Sequence, residues 1–171
     1  LMSHSLSSLS LDFTPKRIGY SSTPYSSSHL IVTLKTFFNH CPGIRALKLT
    51  RWIVGQDPVV IPQSIRDDLK RLTQLSISSS GDISFIIDSL KVCKSLSTLH
   101  IDDEVITDLS GVLPLIGVNL VSISIRMTNV ETTRAIIEHC PKLVDVKIYD
   151  PTLDDVVVES IVSEVIVELK R

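Results

Sequence analysis

The sequence predicts an α/β solenoid in which one parallel sheet is built from repeated strand-and-helix units. Three observations lead to this prediction. An apolar-x-x-apolar-x-apolar pattern recurs along the chain, its copies are almost evenly spaced, and apolar residues at helical spacing follow the pattern in several units. A strand or helix that is apolar on one side cannot cover that side alone, so stacked units would bury both elements.

The recurring pattern begins at residues 44, 72, 96, 120 and 143, so successive copies are 28, 24, 24 and 23 residues apart. The copies are Ile44-Leu47-Leu49, Leu72-Leu75-Ile77, Leu96-Leu99-Ile101, Leu120-Ile123-Ile125 and Leu143-Val146-Ile148, after a fainter one at Leu6-Leu9-Leu11. Leucine-rich repeats have periods of about 20–29 residues. The sequence therefore predicts a single leucine-rich-repeat domain over residues 1–171, a horseshoe of about five to six repeats with concave parallel strands and convex helices.

Helices are predicted between the strands. The apolar stripes that predict them are Ile83, Ile86, Ile87 and Leu90, then Leu30, Leu34, Phe37 and Cys41, and finally Ile106, Leu109, Leu113 and Ile116. Pro62 is expected to open a helical segment over Gln63–Leu72. Asp82, and Thr152 with Asp155, are expected to cap helix starts. Residues 12–29 are predicted to form an irregular Ser-rich insertion in the first repeat.

The three cysteines share one register position. Cys41, Cys93 and Cys140 each lie three residues before a copy of the pattern, a slot that Leu69 and Gly117 fill in the other two units. This predicts a small buried position at the end of a helix. An odd number of widely separated cysteines is no disulfide framework and favours a reducing compartment, so we expect a cytoplasmic or nuclear protein.

Two of these cysteine strings resemble the cysteine-containing leucine-rich repeats of F-box proteins. Cys41-Pro42-Gly43-Ile44 and Cys140-Pro141-Lys142-Leu143 carry the resemblance, which covers roughly residues 29–150. It implies a protein-interaction module that recognises the substrate of a cullin-type ubiquitin ligase. It also implies an F-box, outside this chain, that binds the ligase adaptor. The alternative is a scaffold or regulatory repeat protein unconnected with ubiquitin.

A protein ligand is expected on the concave face, where strand side chains point away from the core. The residues predicted to bind it are Lys48, Gln74, His100, Asp102, Arg126, Asp145, Lys147 and Tyr149. Tyr149, Arg126, Lys147 and His100 are the large side chains expected to contribute most. The alternative is a plain solvated sheet. Trp52 is either a further partner anchor or a residue that packs where its strand leaves the sheet.

Composition and motifs argue against other classes of function. A net charge of −2 gives no basic footprint for nucleic acid or an anionic membrane. The first residues do not have the charged-then-apolar pattern of a signal peptide and no apolar run reaches about 18–20 residues, so we expect neither a signal peptide nor a membrane-spanning helix in this chain. The Cys-His pairs belong to different repeats and no nucleophile motif occurs, so we expect no enzyme, no metal and no cofactor.

The C-terminal segment Leu153–Arg171 carries a broad apolar stripe at helical spacing. A broad apolar helix face is normally buried, so we expect another repeat, a partner protein or a second copy of the chain to contact it. Because Leu1 precedes Met2, we also expect the chain to be a fragment of a longer protein.

Overall fold

The computed structural model describes residues 6–13, 27–53, 61–80, 87, 90–103, 108–126, 129–149 and 167. These residues form an α/β fold with a single open sheet of six parallel strands. The strands are β1 (Ser8–Asp12), β2 (Ala46–Ile53), β3 (Gln74–Ser80), β4 (Thr98–Asp103), β5 (Ser122–Arg126) and β6 (Asp145–Tyr149). Each strand pairs with its neighbours in the sequence, so the strand order in space is the order in the chain.

The strand register follows the predicted repeat. Leu75 lies opposite Leu47 on one side and Leu99 on the other, and Ile123 continues the row. The faint first copy also belongs to the sheet, because Leu9 and Leu11 pair with Leu47 and Leu49. The apolar positions that the sequence aligns are therefore aligned in space.

Helices lie between the strands, with bounds that differ from the predicted ones. The helices whose bounds lie within the described residues are α1 (Ser27–His40), α2 (Gln63–Leu69), α3 (Leu113–Ile116) with a following 3₁₀ turn at Gly117–Asn119, and α4 (Val130–His139). Because α1 begins at Ser27, the last residues of the predicted insertion 12–29 are helical. Pro62 precedes α2 in an extended conformation and does not occupy its first position.

The prediction of a helix across Ile106–Ile116 was wrong in extent. Leu109, Leu113 and Ile116 are buried as expected, but only Leu113–Ile116 is α-helical. Pro114 explains the short helix, because proline fits the first turn of a helix and clashes with the preceding turn in its interior. A turn in which Val112 donates to the Leu109 carbonyl leads into α3. Ile106 lies outside the described residues.

Apolar side chains between the sheet and the helices form one continuous core. Helix α1 contributes Leu30, Leu34 and Phe38, which are nearly inaccessible to solvent, whereas Phe37 is half-buried. The predicted stripe had placed Phe37 in the core. Positions seven and eight residues after Leu30 both lie near one helix face, and the rotation of α1 against the sheet decides which of the two packs more deeply.

Two backbone hydrogen-bond patterns repeat from unit to unit. In five units the cysteine-slot carbonyl accepts a bond from the first apolar residue of the pattern, as from Leu96 to Cys93 at 3.1 Å. Just before each of strands β2–β6, one carbonyl of the preceding unit accepts two bonds, as when Ser97 and Thr98 both donate to Thr73, at 2.8 and 3.0 Å. The sequence spacing thus corresponds to a repeated backbone conformation.

The cysteine slot is buried in most units, with one exception. Cys93 and Cys140 are buried, and burial raises the pKa of each thiol to about 12. Cys41 is only half-buried, so the prediction of a buried slot was wrong there. Cys41 occupies the first slot of the stack, and among the described residues no slot precedes it. Cys140 can sit deeper because Gly117 in the preceding slot has no side chain.

Candidate binding surface

The strand side chains that point away from the core form three rows across the sheet, which we call the polar face. The first row is Ser8, Ala46, Gln74, Thr98, Ser122 and Asp145. The middle row is Ser10, Lys48, Ser76, His100, Ser124 and Lys147. The third row is Asp12, Thr50, Ser78, Asp102, Arg126 and Tyr149.

All eighteen of these side chains are exposed or half-buried, whereas most residues between them are buried. Strand β5 shows the alternation well, because Ile123 and Ile125 are buried between half-buried Ser122, Ser124 and Arg126. Alternation follows from the pleat, which points successive side chains to opposite sides of a strand. The eight residues predicted to bind a ligand therefore lie on one face. Their role in binding stays a prediction.

The structure joins two predicted site residues in an ion pair. Arg126 Nε lies 2.9 Å from Asp102 Oδ1, across the boundary between β5 and β4. Sequence reasoning had noted both charges without pairing them. The repeat register contains the signal, because it places the two residues opposite each other on neighbouring strands. With both side chains more than one-third exposed, the pair adds little stability, and a ligand can compete for either partner.

A second polar cluster lies on β5 and β6. Ser122 Oγ donates a 2.9 Å hydrogen bond to Asp145 Oδ2, and Lys147 Nζ lies 4.0 Å from the same oxygen. Tyr149 pairs with Arg126 in the register, and about half of its surface is exposed. Six of the eight predicted residues thus lie on β4–β6, with His100 and Asp102 both on β4, while Lys48 and Gln74 lie on β2 and β3.

Sequence reasoning missed four exposed apolar residues in the later units. Leu115, Val118, Val121 and Val144 are all more than 40% exposed. The Val144 N–H bonds to the Val121 carbonyl at 2.8 Å, which makes these two residues neighbours in successive units. Arg45, Thr73 and Ser97 hold the position of Val121 in earlier units. Comparing register positions between units could have revealed Val121 and Val144 as exposed apolar residues.

Histidines and cysteines lie in ordinary local environments. His40 Nδ1 lies 2.8 Å from the Thr36 carbonyl oxygen in the same helix, and His139 lies beside Glu138. Across the described ranges, no three His, Cys, Asp or Glu side chains form a group that could hold a metal ion. The raised pKa values keep the Cys93 and Cys140 thiols protonated near neutral pH, which makes both poor nucleophiles.

Several predicted features lie outside the described residues. These are residues 14–26 of the predicted insertion, Ile83 and Ile86 of the predicted helix stripe, the caps at Asp82 and at Thr152 with Asp155, the segment Leu153–Arg171 apart from Val167, and the side chain of Trp52. The backbone of Trp52 belongs to β2, opposite Ser79 and just past a register shift. Among the helices that the structure describes, none is long and apolar enough to cross a membrane.

Comparisons of the chain with protein-family models, with curated proteins and with solved structures find no match.

Proposed function

We propose that this chain is a leucine-rich-repeat solenoid that recognises a protein ligand on its polar face and catalyses no reaction. The single observation that carries the proposal is the polar face itself. Three rows of accessible side chains, polar except for Ala46, lie on a parallel sheet whose other side is packed in the core. Repeat proteins use extended strand surfaces of this kind for recognition, since each unit adds one more set of contacts.

The chemistry of the face suits protein recognition. It combines short hydroxyl side chains, which leave room for a ligand backbone, with long charged side chains and the exposed ring of Tyr149. Tyrosine and arginine are enriched among residues that dominate binding energies. Tyr149 and Arg126 lie side by side in the third row, so we expect this corner to anchor the ligand.

The resemblance to F-box proteins gives the proposal a more specific form. In that form the solenoid holds the substrate of a cullin-type ubiquitin ligase, and an F-box elsewhere in the gene product binds the adaptor. The alternative is a non-ubiquitin scaffold or regulatory repeat protein. Co-purification of the adaptor with the full-length gene product would support the ligase form, and its absence under conditions that retain known F-box proteins would favour the scaffold.

Site-directed crosslinking tests the recognition surface. A photoreactive phenylalanine replaces Tyr149 in one variant and exposed Val32 of helix α1 in another. We expect a protein partner to crosslink through position 149 and not through position 32, because only the former lies on the polar face. The isolated partner should then bind the quadruple variant His100→Ala, Arg126→Ala, Lys147→Ala and Tyr149→Ala at least about tenfold more weakly.

A matched control uses exposed residues on helices. Lys35→Ala, Arg134→Ala and Glu138→Ala in one chain remove three charged side chains away from the polar face. We expect this variant to bind the partner with unchanged affinity. Equal binding by the quadruple variant and the wild type would overturn the proposal.

A further inference from the structure

The middle row of the polar face differs from the rows beside it. It contains Lys48, His100 and Lys147 on every second strand, with Ser76 and Ser124 between them. No carboxylate occurs in this row, whose sixth member is Ser10. Lys48 and Lys147 are exposed, whereas His100 and the two serines are half-buried. Small hydroxyl side chains therefore alternate along the row with cationic and imidazole side chains.

The carboxylates of the face, those of Asp12, Asp102 and Asp145, lie only in the outer rows. Asp102 forms an ion pair with Arg126 at 2.9 Å, and Asp145 accepts a hydrogen bond from Ser122. Asp12 lies at the far edge, on β1. The charge of Asp102 is partly compensated by Arg126, and that of Asp145 by Lys147 of the middle row, whose Nζ lies 4.0 Å from Asp145 Oδ2. Because both side chains of the Lys147–Asp145 pair are more than half exposed, a carboxylate of an anionic ligand can compete for Lys147.

The size of the face favours a single extended segment. Six strands about 4.8 Å apart and rows about 6.8 Å apart give a rectangle of roughly 24 by 14 Å. The rectangle is nearly twice as long as it is wide, so it fits one extended segment that lies along a row. One extended peptide of about seven residues, lying across the strands along the middle row, would match its length.

The distance between the large side chains of the middle row favours one backbone conformation of that peptide. Side chains on alternate strands are about 9.6 Å apart. A polyproline II segment has three residues per turn and rises about 3.1 Å per residue, so every third side chain points the same way about 9.3 Å apart. A β-strand presents same-side residues about 6.6 Å apart, which does not match the row.

We propose that the middle row binds an extended acidic segment of a protein, with a carboxylate at every third residue, over Lys48, His100 and Lys147. This inference rests on the proposed function and names the chemistry of its ligand. The two lysines pair with the first and last carboxylates, and His100 donates a hydrogen bond to the central one. The hydroxyls of Ser76 and Ser124 lie between these positions and donate to carbonyl groups of the peptide backbone.

Fluorescence anisotropy with labelled peptides tests the inference on the full chain. The probe is Glu-Pro-Pro-Glu-Pro-Pro-Glu, compared with a peptide of the same composition in which the glutamates are adjacent and with a lysine version of the probe. We expect the probe to bind most tightly and its Kd to rise several-fold as ionic strength increases from about 0.05 to 0.5 M. Equal affinity for the two glutamate peptides, or stronger binding of the lysine peptide, would overturn the inference.

Matched protein variants test whether the acidic peptide binds at the middle row. Lys48→Ala with Lys147→Ala should weaken probe binding by about fivefold or more, because two partly exposed ion pairs are lost. Lys35→Ala with Lys94→Ala removes the same charge from exposed positions outside the face and should leave the Kd unchanged. Equal effects of the two double variants would contradict the proposed location.

The experiments distinguish failure of the acidic-segment inference from failure of the proposed recognition function. Binding of a crosslinked partner could depend on Tyr149 and Arg126 but not on Lys48 and Lys147. That result would contradict the acidic-segment inference and still support the recognition surface. If no polar-face variant changes the affinity for the partner, both the recognition function and the acidic-segment inference are overturned.

Discussion

At the residue scale, Gly117 marks a close approach between two successive units. A Cβ atom added at this position would lie 2.6 Å from the His139 carbonyl oxygen and 2.8 Å from Cys140 Sγ. Real Cβ atoms do not come so near to a backbone oxygen, and the rigid backbone of His139 cannot easily withdraw. The slot that holds a cysteine or leucine in other units therefore requires glycine here.

Gly117→Ala should lower the free energy of unfolding by about 1–3 kcal/mol, because the added methyl overpacks the boundary between the units. Gly111→Ala is the matched control, since a Cβ at Gly111 would meet no heavy atom within 4 Å. We expect the control to change stability by no more than about 0.5 kcal/mol or to raise it slightly. Urea unfolding measures both, and similar values for the two variants would contradict the packing argument.

At the element scale, Thr132 links helix α4 to the turn before α3. Its hydroxyl accepts a 3.3 Å bond from the Leu109 N–H, and it lies 3.5 Å from Asp108 Oδ1. The side chain of Asn129 caps α4 by accepting a 2.8 Å bond from the Thr132 N–H. Thr132 is fully buried, so its hydroxyl depends on these protein partners.

Thr132→Val keeps the shape of the side chain but leaves the buried Leu109 N–H without its acceptor, so we expect a loss of about 1–3 kcal/mol in the free energy of unfolding. Thr36→Val is the control, because the Thr36 hydroxyl bonds to the Val32 carbonyl at an exposed site of α1. Its effect should stay within about 0.5 kcal/mol. Thermal or urea unfolding near pH 7 compares the two. Equal losses would show that the buried hydroxyl has no special role.

The pH of that measurement matters because of Asp108. Hydrogen bonds from the side chain and backbone of Ser110, with a smaller contribution from Thr132, hold the pKa of Asp108 below its ordinary value of 3.8. Ionised Asp108 therefore contributes stability above that value, and the contribution is lost as pH falls through the lowered pKa of the folded state. Near pH 7 the carboxylate is ionised in both variants, so the comparison isolates the hydroxyl group.

At the scale of the whole molecule, the described sheet is most tightly packed at its centre. Leu99 on β4 has Leu75 and Ile123 beside it and is inaccessible to solvent, whereas Leu9 on β1 pairs only with Leu47 among the described residues and is 6% exposed. Stacked units stabilise one another only through their nearest neighbours, so an end strand has about half the support of a central one.

We therefore expect Leu99→Ala to cost about 4–5 kcal/mol and Leu9→Ala about 2–3 kcal/mol, the two ends of the range for buried leucines. The first change leaves a cavity enclosed on both sides, while the second leaves one that the sheet edge can partly close. Denaturant unfolding of the two variants supplies the comparison. A loss at Leu9 equal to or above that at Leu99 would show that β1 is packed as tightly as the centre.

Strands and helices were predictable to different degrees. Side-chain alternation is a local property of extended chain, so the positions of Leu47, Leu75 and Leu99 in the pattern were sufficient to predict their alignment. Helix faces are less local. Phe37 and Phe38 both fit the stripe of α1, and the helix over Leu113–Ile116 was predicted too long because Pro114 was not treated as a start signal.

The sequence by itself determined the strands, their order and the three outward rows, because the repeat spacing and the two-residue alternation leave one consistent register. Tertiary structure alone decided how neighbouring units fit together. It buried Cys140 against Gly117 while leaving Cys41 half-buried, and it joined Asp102 to Arg126 at 2.9 Å. These outcomes depend on distances between side chains from different units, and distances of that kind are fixed only when the units pack.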